Sequence, residues 1–257
     1  MRRTLILVFV LFWAVAAYNA PYAESGTDVV YQTSTLAALK HGLYDGETTF
    51  GDLRKYGDFG LGTFNALDGE MIALDGRFYQ IKVDGKVYPV PDSAKTPFAV
   101  VCFFKADKKL LLGGTKDLAT LKEGLDRLLP SRDIIWAIRI KGILKHAKVR
   151  SVPRQQKPYP GLGAVVKNQT VFKLKNVAGT LVGFRFPDYM NGVNVPGYHF
   201  HFITSDRKAG GHVLDCTGKN LRIELSSISK FRMTLLKKRD QVRSAPDLRI
   251  LPKPELQ

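Results

Sequence analysis

Residues 197–216 read GYHFHFITSDRKAGGHVLDC. His199 and His201 alternate with Tyr198, Phe200 and Phe202. In a strand, side chains two apart share a face, so both imidazoles project one way and the large apolar groups the other. The polar, glycine-rich stretch 205–211 then predicts a hairpin loop. Folding it about Asp206-Arg207 sets His212 opposite His201, where cross-strand neighbours lie roughly 5 Å apart. Three neutral imidazoles that leave open coordination positions suit a catalytic zinc ion, Zn2+. Three of the five histidines fall in this one segment.

Other readings of the segment stand beside this one. Cys216 is four residues after His212, so regular alternation would give it the same face and a closed site of one cysteine and three histidines. His199 and His201 could also be ring-like residues on a sheet with no metal. An H-x-H pair occurs in cupins too, but their following glutamate has no counterpart in Ser205-Asp206. Imidazole sites do not select zinc over other divalent ions by affinity alone.

The elements that must carry these residues are mostly strands. Apolar and alternating runs predict strands at 77–83, 98–104, 134–144, 170–186, 198–203, 213–216, 221–225 and 231–236. Asp75-Gly76 and Asp84-Gly85 fit hairpin turns. Leu118, Leu121, Leu125 and Leu128 recur at helical spacing over 117–129, and Pro130 stops that helix. Residues 36–39, with Ser34 before and Gly42 after, predict a second, short helix. The expected fold class is α+β, with two β-rich halves of mixed sheets, few helices and the metal site on a strand hairpin in the C-terminal half. VPRQQKPYPGLG at 152–163 carries three prolines and breaks periodic structure, which suits a crossing between halves.

The chain has 257 residues, 45% hydrophobic and 24% charged, which excludes collagen, coiled coil and wholesale disorder. Its formal charge of +16 is unevenly placed. Residues 24–138 hold 14 basic and 16 acidic side chains, whereas 139–257 hold 23 and 7. Arg2 and Arg3 precede the apolar run LILVFVLFWAVAA, the pattern of a secretory signal peptide. The run is short for a membrane span. Cleavage could follow Ala16, Ala17, Ala20 or Ala23. The expected organisation is a signal peptide at 1–23, an N-terminal half at 24–150 and a C-terminal half at 151–257, with a secreted or periplasmic destination.

Export permits disulfides, and Cys102 and Cys216 are the only pair. Two separate buried thiols are the alternative, since free cysteine behaves as a small hydrophobe. Asn168-Gln169-Thr170 fits a glycosylation acceptor in a eukaryotic host. GDFGLG at 57–62 lacks the Lys-Ser/Thr ending of a phosphate loop and is not one.

Four longer stretches identify a family. STLAALKHGLYDG (34–46), GDFGLGTFNALDGEMIALDGRFYQI (57–81), RSVPRQQKPYPGL (150–162) and the histidine segment together resemble alpha-acetolactate decarboxylases, in order and over nearly the whole chain after the leader. The resemblance implies a zinc enzyme that converts 2-acetolactate to acetoin and carbon dioxide. It also implies two β-rich halves and a homodimer. Residue by residue it implies His199, His201 and His212 as zinc ligands, with Glu70 (LDGEMI), Arg150 (RSVPRQ) and Thr63 (GLGTFN) in the active site. A glutamate of the C-terminal tail lies near the metal in that family; Glu255, in PKPELQ, is the acidic residue available after Asp247. The long polar tail departs from the family pattern.

Without the resemblance, Glu70 reads as a solvated turn residue, Arg150 as the end of a basic strand face and Thr63 as a turn residue. Arg154 rivals Arg150 for a role in anion binding. Two other function classes stay open at this level. One is an exported basic module that binds nucleic acid or anionic surfaces through 230–243 (KFRMTLLKKRDQVR). The other is a different metal-dependent lyase or hydrolase.

Overall fold

The computed structural model describes residues 26–236; the leader and the tail that holds Glu255 lie outside the described residues. The first part of the chain contains β1 (Val29–Thr33), α1 (Leu36–Lys40), β2 (Thr48–Thr49), α2 (Phe50–Leu53), β3 (Phe59–Thr63), β4 (Glu70–Leu74), β5 (Arg77–Ile81), β6 (Val87–Pro89), β7 (Lys95–Thr96) and β8 (Ala99–Cys102). After these come β9 (Lys108–Thr115), α3 (Leu118–Leu128), β10 (Ile135–Ser151), α4 (Leu162–Lys167), β11 (Thr170–Phe186), β12 (Gly197–Thr204), β13 (Gly210–Ile228) and β14 (Lys230–Thr234). Strand content dominates, as an α+β class requires. Among the described residues no helix is long and apolar enough to cross a membrane.

Two large sheets result. The first runs β14-β1-β8-β3-β4-β5-β6 and is mixed, because β14 lies parallel to β1. The second runs β10-β11-β12-β13-β9, and β10 also pairs with β13. That extra pairing closes β10, β11, β12 and β13 into a ring. The sheets do not partition the chain at residue 150: β9 and β10 join the second sheet, and β14 returns to the first.

Alternation along the strands builds the layers. On β10, Trp136, Ile138 and Ile140 point into the ring, whose core α3 completes with Leu121 and Leu125. Ile135 and Ala137 point the other way, toward the first sheet. There they join Phe184 and Phe186 of β11 against Phe59, Ile72 and Val100. α3 begins with a capping box, in which the Asp117 carboxylate accepts from the Thr120 amide. α2 covers the far face of the first sheet with Phe50 and Leu53.

Several local expectations match the structure. Asp75 and Gly76 both have positive φ and join Leu74 to its partner Arg77. Two such residues give the twist a two-residue hairpin needs. Gly85, also at positive φ, turns the chain between β5 and β6. α1 forms where expected, but Thr35 caps it rather than Ser34. Thr35 is extended and accepts the Ala38 amide at 3.1 Å, while Ser34 takes a positive φ.

Other elements differ from the pattern. KKLLLGGT forms β9, an edge strand whose glycines mask it in sequence. Residues 213–225 form one continuous strand, not two. Thr217 to Asn220 look like a turn, and Asn220 does take a positive φ at an irregularity in the ladder, but pairing with β10 on one side and β9 on the other carries the strand through.

The cysteines lie in different cores. Cys102 packs between the sheets and Cys216 inside the ring, and both are free thiols. Burial pushes the Cys216 thiol up to about 12 and the Cys102 thiol up as well. Folded protein should therefore show no thiol reactive toward Ellman's reagent at neutral pH, and denatured protein two. Rapid labelling of the folded form, or no labelling after denaturation without reductant, would contradict this packing.

Candidate metal centre

The hairpin of β12 and β13 sets the geometry. The Thr204 N–H closes it by donating to Ala209 O at 2.9 Å. Its register pairs His201 with His212, as folding about Asp206-Arg207 requires. Phe200 and Phe202 enter the ring core, and His199 and His201 face the opposite way, toward β4. Gly211 sits at φ +145, and a Cβ there would meet Arg150 O at 2.5 Å. A glycine is thus required where β13 enters beside β10.

The three imidazoles converge. His212 Nδ1 lies 3.0 Å from His199 Nε2 and 3.3 Å from His201 Nε2. One ring nitrogen from each lies within 4.8 Å of the others. His201 Nδ1 is 2.8 Å from the Met71 carbonyl oxygen on β4. A carbonyl only accepts, so Nδ1 carries the proton and Nε2 presents a lone pair to the cluster. This is the outer hydrogen bond that orients a metal-ligating histidine.

Electrostatics keep the cluster neutral. Burial pulls His199 down to about 3, and the charges of Arg150 and Lys122 add to the effect. His201 and His212 are also pulled well below the usual imidazole range, first by burial. Three neutral rings with converging nitrogens cannot all satisfy one another, since each carries a single N–H. His199 Nδ1 is in addition a buried atom without a hydrogen-bond partner among the described residues. A divalent cation with open coordination positions fits this donor set.

Cys216 does not join it. Regular alternation would put Cys216 on the face of His212, but the pairing with β10 jumps from Val213–Val149 to Asp215–Lys148. The bulge adds a residue and turns Cys216 into the ring core. The closed site with cysteine is therefore excluded by geometry.

Glu70 and Arg150 stand beside the imidazoles. Glu70 opens β4, and its carboxylate Oε2 lies 3.4 Å from His201 Nε2. Its other oxygen accepts from Arg150 Nη1. The side chains are 6% and 13% exposed, so this is a buried pair and not a solvated turn. Burial pushes the Glu70 carboxyl above its usual range, and Arg150 opposes that shift. Arg150 is placed by register: on β10 it sits opposite His212 of β13. Arg150 Nε is buried with no acceptor in the described residues.

Thr63 is opposite Glu70 in the β3–β4 pair and donates to Gly69 O at 2.7 Å. Arg154, the sequence rival of Arg150, is 68% exposed and lies 3.8 Å from Asp68, away from the cluster. Glu255 lies outside the described residues.

These groups line one cavity of about 110 Å³. Thr63, Glu70, Arg150 and the three histidines form its polar wall. Leu36, Leu39, Phe98, Val152, Leu162 and Val195 form an apolar one. Sequence reasoning missed the apolar wall. Its residues come from five separate segments, and nothing local distinguishes them from ordinary core.

Comparison with known proteins identifies the family. The family model described as alpha-acetolactate decarboxylase matches residues 30–245. A Methylococcus capsulatus protein of that name is 52% identical over 204 residues, covering 79% of this chain and 78% of the relative. One from Methanosarcina mazei is 50% identical over 213 residues, covering 83% and 74%. The crystal structure of the Bacillus subtilis strain 168 alpha-acetolactate decarboxylase superposes with a TM-score of 0.81 at 39% identity, covering 85% of this chain and 93% of that one. With a family model matched along most of its length and a shared fold, the chain belongs to the alpha-acetolactate decarboxylase family.

Proposed function

We propose that the protein decarboxylates 2-acetolactate to acetoin and carbon dioxide at a zinc ion held by His199, His201 and His212. The observation that carries this reading is one cavity that joins three neutral imidazoles, a buried arginine and a carboxyl with a raised pKa. Bound zinc supplies a Lewis acid where negative charge develops on the former ketone oxygen.

The substrate is a β-keto acid with a tertiary hydroxyl group. Its C–CO2 bond breaks, and the electron pair moves toward the ketone to give an enediolate. A proton then adds to the carbon that lost carbon dioxide, which balances the reaction. Arg150 has the fork of donors that suits a planar oxyanion. It binds the carboxylate and holds the charge of the enediolate. An arginine is always charged and is a poor proton donor. Glu70 is the better carrier, because burial moves its carboxyl above the usual range, closer to that of a group that can give and take a proton. Delivery to one face sets the chirality of acetoin. Thr63 keeps the turn before Glu70 in place through its bond to Gly69 O.

Purified protein should contain about one zinc per chain. Prolonged chelation should abolish acetoin formation, and added zinc should restore it. A metal-free preparation with full activity would exclude the metal from the reaction. His201→Ala should lose the metal, which elemental analysis reads directly.

Glu70→Gln and Arg150→Ala should each lower kcat by roughly 100- to 10,000-fold with the metal retained. Full turnover by Arg150→Ala would remove the guanidinium from the mechanism. Loss of the stereochemical preference in Glu70→Gln, read by chiral chromatography of the acetoin, would support proton delivery from that side chain. Unchanged rate and chirality would exclude it.

A further inference from the structure

The two walls of the cavity differ in kind. The polar wall accounts for the hydroxyl, keto and carboxylate oxygens of a 2-hydroxy-3-oxo acid. The alkyl groups of such an acid need an apolar counterpart. We propose that Leu162 of α4 and Leu36 of α1 are specificity-determining residues that limit the size of those alkyl groups. This rests on the decarboxylase reading and extends it to substrate length.

A wall discriminates by size only if it does not yield. The α1 side is fixed from below by buried polar bonds. Leu36 N donates to Val193 O and Ala37 N to Gly192 O, each at 2.9 Å. The Gln32 amide donates to Val193 O at 2.8 Å and to Ser34 O at 2.6 Å. Asn194 donates to the Gln32 carbonyl at 2.6 Å, and its own oxygen accepts the Val195 amide. Gln32 and Asn194 are 0% and 1% exposed. A fully satisfied buried network of this kind is rigid. It ties α1 to the loop that leads into β12, the strand of His199.

The α4 side closes against α1. A Cβ on Gly161 would come within 3.3 Å of Lys40 O, so the backbones meet closely just before Leu162. Tyr159 donates to the Asp45 carboxylate at 2.9 Å and anchors the same segment. Leu162 is only partly buried and packs at the margin of a core that includes Leu36, Leu39 and Phe98. Truncating it enlarges the cavity without emptying a core position.

The size of the opening matters because the cavity is small, about 110 Å³. One extra methylene against a rigid apolar wall changes discrimination by about 10- to 200-fold.

The test compares kcat/KM for acetolactate with that for two homologues, one with a 2-ethyl group and one with an ethyl ketone. Leu162→Ala or Leu36→Ala should raise the homologue-to-acetolactate ratio at least about tenfold for one of them. Leu162→Phe should lower it. Leu162→Val gives a smaller gain and covers an alanine variant that fails to fold. Metal content equal to the parent shows that the polar wall is intact. Ratios within twofold of the parent for both homologues in every folded variant would overturn the proposal. A parent protein that makes no acetoin at all would instead overturn the decarboxylase reading.

Discussion

Three ring nitrogens forced together at the wall of one small cavity are the constraint on which this structure depends. An unsatisfied buried polar group costs about 1–3 kcal/mol. Burial holds all three histidines in the neutral form, so protonation does not relieve the crowding. The Met71 carbonyl fixes the tautomer of His201 and aims its lone pair inward. Such an arrangement is a poor resting point for a metal-free protein and a good one for a cation. The hairpin register, the glycine at 211 and the closed ring of strands all serve to hold it.

The Glu70–Arg150 pair obeys a related logic. Taking two charges out of water is costly, and replacing a buried ion pair with apolar residues is often neutral or stabilising by about 1–4 kcal/mol. Stability alone therefore does not explain the pair. Its position does: Arg150 is opposite His212 in the sheet, and Glu70 lies beside His201. The pair bridges the ring and the first sheet, so the two halves of the fold meet at the groups that would handle charge and protons.

The sequence exposed this site unevenly. The histidine hairpin was readable because strand alternation and loop symmetry are local, and both held. The face of Cys216 was misjudged for the same reason: a bulge set by pairing with β10 is invisible in the strand's own residues. Glu70, Arg150 and Thr63 carried no local signal, and only the family resemblance singled them out. Gln32 and Asn194 are 162 residues apart, and their mutual bond exists only in the fold. The two-residue turn at Asp75-Gly76 was readable, whereas β9 was hidden by glycines in an edge strand that its neighbour β13 holds in place.

The apolar wall changes what the charged groups can do. A pair of unit charges 4 Å apart is worth about 1 kcal/mol in bulk water and about 4 kcal/mol at an effective dielectric constant of 20. An apolar wall of leucine, valine and phenylalanine lowers the local dielectric constant and moves Arg150 toward the stronger regime. In the proposed reaction a substrate carboxylate would give up its hydration to enter, and carbon dioxide would leave as a neutral gas. The charge left behind would be spread over the enediolate, within reach of Arg150. The excess of basic residues after position 139 then fits a site that draws in small anions. Selection for size and promotion of the reaction thus come from the same wall, because a surface that excludes extra methylenes also excludes water.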